Sequence, residues 1–166
     1  MVRIVDGDLF KARDVDIIAH QVNCQGVMGS GVARQVRELF PHAFEGYKSL
    51  VAMSRFDPRG KCSLLGHTQF IEAAHADRHV YVANMFAQLD YGYDGKLYTD
   101  YAAFRQCLSR IRNLVKTSTA CGAGRIGMPF RIGCDRGGAD WEVIRHMIET
   151  ELGDCDVTLY RLTNEQ

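Results

Sequence analysis

Apolar positions along the chain fall into short alternating or continuous runs at residues 2–5, 15–22, 62–65, 68–73, 79–86, 125–128 and 157–162. Their length and β-branched content predict strands, and Ile17-Ile18-Ala19 reads as a strand buried on both faces. Between these runs the apolar spacing changes to three and four residues. Helices are predicted over 32–40, ended by Pro41, over 43–53, over 98–117, and over Trp141–Leu152, stopped by Gly153. In the third helix Tyr101, Phe104, Leu108, Ile111 and Val115 make a core-facing stripe. Strands alternating with helices indicate an α/β fold, a three-layer α/β/α domain with a mostly parallel or mixed central sheet. No repeat, low-complexity tract or linker interrupts the pattern, so residues 1–166 read as a single domain. Residues 87–97, around Tyr91 and Tyr93, form the one long exposed loop and are placed to cover a site.

Composition narrows the function classes. Twenty basic and twenty acidic side chains cancel, which argues against an electrostatic, sequence-independent grip on nucleic acid while leaving a local basic patch open. Six cysteines (Cys24, Cys62, Cys107, Cys121, Cys134 and Cys155) include no Cys-x-x-Cys pair. Buried free thiols in a reducing compartment fit better than a disulfide framework or a structural zinc site. His20 and Cys24 lie four apart, but no second ligand pair has metal-site spacing, so no metal or cofactor is expected. The N-terminus enters a strand-like run directly, and no segment approaches membrane-spanning length. The expectation is a cytoplasmic protein without a membrane partner, and a monomer.

Two glycine-rich loops carry the chemistry, and each runs from a strand into a helix. The first is Asn23-Cys24-Gln25-Gly26-Val27-Met28-Gly29-Ser30-Gly31-Val32; the second is Gly133-Cys134-Asp135-Arg136-Gly137-Gly138-Ala139-Asp140-Trp141. Glycine lets backbone N–H groups approach an anion closely, and the following helix directs its unpaired N–H groups and positive dipole end at the same point. Two such loops in one small domain suggest a ligand with two phosphates, held from both sides. A literal Gly-x-Gly-x-x-Gly at residues 122–127 is read as a decoy, because it follows a helix and enters a strand, the reverse of the dinucleotide fingerprint. No glycine loop is followed by Lys-Ser or Lys-Thr, which excludes a P-loop nucleotide hydrolase.

Several single residues have two readings. Asp140 either complements the dipole of the helix it opens or faces the bound anion as a general base. His20 lies in an apolar strand, as a core residue or a catalyst. Asp90 sits in the long loop, as a solvated carboxylate or a base. Gly7-Asp8-Leu9 closes the first strand-like run, where a carboxylate can accept a hydrogen bond from an exocyclic amine such as that of adenine.

These segments, in this order and over essentially the whole chain, resemble the macro domain, the ADP-ribose-binding family. The resemblance implies a mixed central sheet flanked by helices, with ADP-ribose in a cleft along its crest. It places Asp8 on the adenine amine, the Leu9 backbone N–H beside it, and Asn23 facing the distal ribose. The backbones of Met28, Gly29, Ser30, Gly31 and Val32, and of Cys134, Asp135, Arg136, Gly137, Gly138 and Ala139, would enclose the diphosphate. The segments 19–26, 83–88 and Gly-Gly-x-Asp-Trp are most similar to the phage-like branch, which includes ADP-ribose-1″-phosphate phosphatases. The related terminal ADP-ribose glycohydrolases use a lysine at the end of a central strand and an aspartate in the second loop. Here residues 79–90 contain no lysine, and Gly137 stands at the aspartate position. The resemblance implies a hydrolase acting at C1″ of the distal ribose, on ADP-ribose-1″-phosphate or on ADP-ribosylated protein or nucleic acid, with Asp140, Asp90 and His20 as catalytic candidates. A non-catalytic ADP-ribose reader and a hydrolase of another ester such as O-acetyl-ADP-ribose are the rival classes.

Overall fold

A computed structural model of the chain describes residues 1–163. The strands are β1 (Val2–Asp6), β2 (Ile17–Asn23), β3 (Thr68–His75), β4 (Arg78–Gln88), β5 (Ile126–Pro129) and β6 (Val157–Arg161). The helices are α1 (Gly31–Leu39), α2 (Pro41–Met53), α3 (Tyr101–Thr117) and α4 (Trp141–Leu152). One sheet runs in the order β1-β6-β5-β2-β4-β3. Every neighbouring pair is parallel except β3 with β4, so the sheet is mixed.

Burial follows from the side-chain alternation of the central strand. Ile17, Ile18 and Ala19 of β2 are all fully buried. Ile17 and Ala19 join Phe104, Leu108, Ile144 and Ile148 of α3 and α4 on one face. Ile18 and Val22 join Val36 of α1, Tyr47 of α2 and Phe40 between the two helices on the other. The result is the three-layer arrangement the pattern predicts. No helix among the described residues is long and apolar enough to cross a membrane.

Three elements differ from the sequence reading. Residues 62–65 are not a strand: Gly60–Leu64 forms a 3₁₀ turn, entered through Gly60 at φ +58° and left through Gly66 at φ +84°. A four-residue apolar run between two left-handed glycines has no room to pair with a sheet. Pro41 does more than stop α1. It opens α2 as its first residue, where its missing N–H costs nothing. The third helix begins at Tyr101 rather than 98, because Asp100 is extended and caps it, accepting from Ala103 N. Residues 118–125 are turn and coil leading from α3 into β5, so the Gly-x-Gly-x-x-Gly run makes no strand-to-helix turn. The expected domain and last strand reach toward residues 164–166 and 162; Leu162 lies beyond β6, and residues 164–166 lie outside those described.

Candidate functional site

The parallel strands β5, β2 and β4 end on one edge, and a cleft of about 300 Å³ opens there. Open α/β sheets bind ligands at this edge, beyond the carboxyl ends of the strands. Its walls come from both glycine loops and from the loop after β4. Asn23, Val27, Gly29, Ser30 and Gly31 contribute from the first, Gly133, Asp135 and Arg136 from the second, and Tyr91, Gly92 and Tyr93 from the third.

The first wall ends in an open helix terminus. Ser30 precedes α1 but makes no side-chain capping bond, and the first turn holds no acidic residue. Gly31, Val32 and Ala33 line the cleft, so the N–H groups that a first turn leaves without intrahelical partners open toward it. Gly31 sits at φ +57°, a left-handed conformation that favours glycine. The N-termini of α3 and α4 are already occupied: Asp100 caps α3 and Asp140 caps α4. Arg131 and Arg136 line the opposite wall with Asp135, so that wall carries two cations to one carboxylate within a chain of zero net charge. Arg131 holds φ +58°, an uncommon conformation for a residue with a side chain, kept at the turn into the second loop.

Asn23 lines the cleft, but its side chain is occupied in shaping the first loop. Its Oδ1 accepts from Gln25 N at 2.9 Å and from Tyr47 Oη at 2.7 Å, and its Nδ2 donates to Val27 O at 2.8 Å. One Nδ2 hydrogen stays uncommitted. Tyr47 also accepts from Gly26 N at 3.1 Å and is fully buried, which pushes its phenol well above the usual range and keeps it protonated. Burial likewise raises the Cys24 thiol to about 12, so the cysteine beside Asn23 is no nucleophile near neutrality.

The expected site residues divide as follows. His20, Asn23, Gly29, Ser30, Gly31, Val32, Asp135 and Arg136 line the cleft. Met28 is buried in the core beneath the first loop, and Gly137 and Ala139 are buried beneath the second. Cys134, half-buried, and Gly138 do not face the cleft. Asp8 borders a separate open depression next to β1 and β6, and its carboxylate accepts from Phe10 N at 2.9 Å. The Leu9 side chain packs into the core.

The three catalytic candidates also separate. Asp140 takes the capping role: its Oδ1 accepts from Glu142 N at 2.8 Å and Val143 N at 3.4 Å, and it is not among the residues facing the cleft. The reason is local, since an Asp at the last extended position before a helix satisfies its first free N–H groups. His20 lines the cleft from a buried position, with Nε2 2.6 Å from Asn84 Oδ1 and Nδ1 without a partner. An amide oxygen only accepts, so Nε2 carries the proton. Burial lowers the His20 pKa to about 4, leaving a neutral ring. Asp90 is exposed, follows the lining residue Gln88 and precedes Tyr91 in the chain without itself lining the cleft, and its Oδ1 accepts from Tyr91 N at 2.8 Å.

Sequence reasoning did not single out Gln21, Gln88, Thr99, Tyr47 or Arg131. Gln21 and Gln88 bear on the cleft floor, joined to each other at 2.7 Å, and Gln21 is joined to Thr99 at 2.8 Å. The available signal was a polar side chain at position 21, between His20 and Val22 of a largely buried strand. Among the described residues no lysine lines the cleft, and no group of three or more metal-ligating side chains occurs.

No protein-family model matches the chain. It is 26% identical over 163 residues to a DNA ADP-ribosyl glycohydrolase of Mycobacterium tuberculosis, covering 96% of this chain but 42% of that protein. It is 32% identical over 104 residues to an ADP-ribose 1″-phosphate phosphatase of Debaryomyces hansenii, covering 55% of this chain and 56% of the relative. Among solved structures, a macrodomain protein from Streptomyces coelicolor superimposes with a TM-score of 0.72 at 26% identity, over 96% of this chain and 98% of the other. The Thermosipho africanus DarTG protein in complex with ADP-ribose matches with a TM-score of 0.73 at 19% identity, over 99% of this chain and 42% of the other.

Proposed function

We propose, from the premise that this chain is a macro domain related to both of those groups of hydrolases, that it binds ADP-ribose and hydrolyses the bond at C1″ of the distal ribose. The observation that carries the reading is the cleft itself: two glycine loops face each other across it, with the uncapped α1 terminus on one wall and Arg131 and Arg136 on the other. That arrangement suits a diphosphate. With the adenine end toward Asp8, beyond β1, the strand order carries the ligand across β5 and β2 to β4. The distal ribose then lies under Tyr91 and Tyr93, beside Gln88 and Asp90. Of the three catalytic candidates Asp90 fits the base, because Asp140 is committed to its cap and His20 is a weak, enclosed base. Water activated at this rim attacks C1″, the bond from C1″ to the departing phosphate, side chain or base breaks, and the nearby diphosphate stabilises the positive charge that develops on the sugar.

Titration calorimetry with ADP-ribose tests the binding, and product analysis tests the reaction on ADP-ribose-1″-phosphate, ADP-ribosylated DNA and ADP-ribosylated protein. Asp90→Asn is expected to lower turnover about a hundredfold or more, the size of a general-base contribution, with ADP-ribose affinity retained. Binding without turnover on any of the three substrates would make the protein a reader. Absence of binding at micromolar ADP-ribose would overturn the whole reading.

A further inference from the structure

The floor of the cleft holds a polar network whose hydrogen-bond directions are fixed by two backbone carbonyls. A carbonyl can only accept. Gln88 Nε2 donates to Asp90 O at 2.9 Å, which leaves Gln88 Oε1 as an acceptor on the other side. Thr99 Oγ1 uses its single proton on Gly133 O at 2.9 Å, so it too can only accept from elsewhere. Gln21 Nε2 meets both demands, donating to Gln88 Oε1 at 2.7 Å and to Thr99 Oγ1 at 2.8 Å. Turning the Gln21 amide over would set acceptor against acceptor at both contacts, so its orientation follows from the network.

The consequence falls on Gln21 Oε1, which is buried and has no donor among the described residues. A buried acceptor in that state loses its hydration without compensation, and an apolar side chain would avoid the cost. What Nε2 gains in return is a join between two walls. Through Gln88 it holds Asp90 O, where the loop carrying Tyr91 and Tyr93 begins. Through Thr99 it holds the second glycine loop twice, because Thr99 Oγ1 donates to Gly133 O and Thr99 N to Gly137 O, the latter at 2.9 Å. The fit has no slack: a side chain at Gly133 would come within 2.7 Å of Gln21 Oε1, and one at Gly137 would overlap Thr99 Oγ1.

We infer that Gln21 is a positioning residue that sets the separation between the second glycine loop and the Tyr91–Tyr93 loop, and thereby the specificity of the cleft for the distal ribose. The inference rests on the reading that ADP-ribose occupies the cleft with its distal sugar at the β4 end. ADP, which ends at the diphosphate, does not depend on that separation, whereas ADP-ribose does.

Calorimetry with both nucleotides tests the assignment. Gln21→Leu is expected to weaken ADP-ribose about tenfold while ADP changes by less than about twofold, the effect of misplacing about one hydrogen bond's worth of contact at the sugar end alone. Thr99→Val, which removes the acceptor and keeps the shape, should reproduce this loss, and Thr99→Ser, which keeps the hydroxyl, should restore the wild-type ratio. The Gln21→Leu/Thr99→Val double variant should lose no more than either single one, because the two act through one join. Should Gln21→Leu fail to fold, the two threonine variants decide the matter. Parallel weakening of ADP and ADP-ribose, multiplied losses in the double variant, or an unchanged ratio would each overturn the assignment and leave the proposed function intact. If wild-type protein binds neither nucleotide, the proposed function fails and this inference falls with it.

Discussion

Removing the hydroxyl of Tyr47 tests whether the first loop is held in a binding shape by a buried anchor. The hydroxyl accepts from Gly26 N at 3.1 Å and donates to Asn23 Oδ1 at 2.7 Å, so one atom fixes both the start and the apex of the loop. Tyr47→Phe keeps the ring, whose centroid lies 5.6 Å from that of Phe86, and so opens no large cavity. The loss is therefore confined to one accepted bond from Gly26 N and one donated proton shared between Asn23 Oδ1 and Asn23 O, about 1 kcal/mol each and about 2 kcal/mol together. For a chain of this size about 2 kcal/mol lowers Tm by about 4–8 °C. If all of it is expressed at binding, the ADP-ribose Kd rises by at most about 30-fold. Differential scanning calorimetry and isothermal titration read the two quantities on the same sample. Because burial keeps the phenol protonated, the deficit should not vary with pH across the neutral range. An unchanged Tm together with an unchanged Kd would refute the anchor. A lowered Tm with an unchanged Kd would refute the link from loop shape to ligand.

Three further outcomes follow from the same contacts. Asp140→Ala should cost about 1 kcal/mol of stability by removing the α4 cap, whereas Asp140→Asn, which can still cap, should retain both stability and turnover; loss of turnover in the Asn variant would return Asp140 to the site. His20, held down at about pKa 4 against an ordinary 6.5, makes the unfolded chain take up a proton that the folded chain refuses. Stability is then lost as pH falls from 6.5 toward 4, by at most about 3 kcal/mol, and urea unfolding at about pH 7 and about pH 5 should show a shallower loss for His20→Gln; equal losses would refute the burial argument. Gly29→Ala meets only Val27 Cγ1 at 3.6 Å, so Tm should hold while ADP-ribose affinity falls, and Gly137→Ala, which overlaps the Gly133 carbonyl, should lower both by about 1–3 kcal/mol.

Much of the fold was legible because burial leaves a periodic trace. The β2 run is apolar on consecutive positions since both of its faces are covered, and the α3 stripe repeats at helical spacing since only one of its faces is. The glycine loops were legible for a related reason, as glycines clustered between a strand and a helix mark backbone that must approach something. The 3₁₀ turn at Gly60–Leu64 was not, because a run of four residues carries too little period to separate a strand from a turn.

Side-chain roles at the site were less legible, and the cause is that one residue type serves two purposes at the same position. Asp140 looks the same in sequence whether it caps α4 or faces a ligand. The 2.8 Å contact to Glu142 N shows the capping role, which nothing local in the sequence distinguishes from the other. Asn23 illustrates the converse: it is in the cleft, as its place at the end of β2 suggested, yet most of its hydrogen-bonding capacity holds the loop. Gln21 escaped notice because its partners are 67 and 78 residues away in the chain, on β4 and at the entry to α3. A polar residue whose partners all lie far off in sequence leaves no local pattern, only an exception to an apolar one. Such exceptions inside buried strands are worth treating as questions about hydrogen-bond direction. At position 21 that question leads from two backbone carbonyls to an acceptor with no donor, and from there to the spacing of the cleft walls.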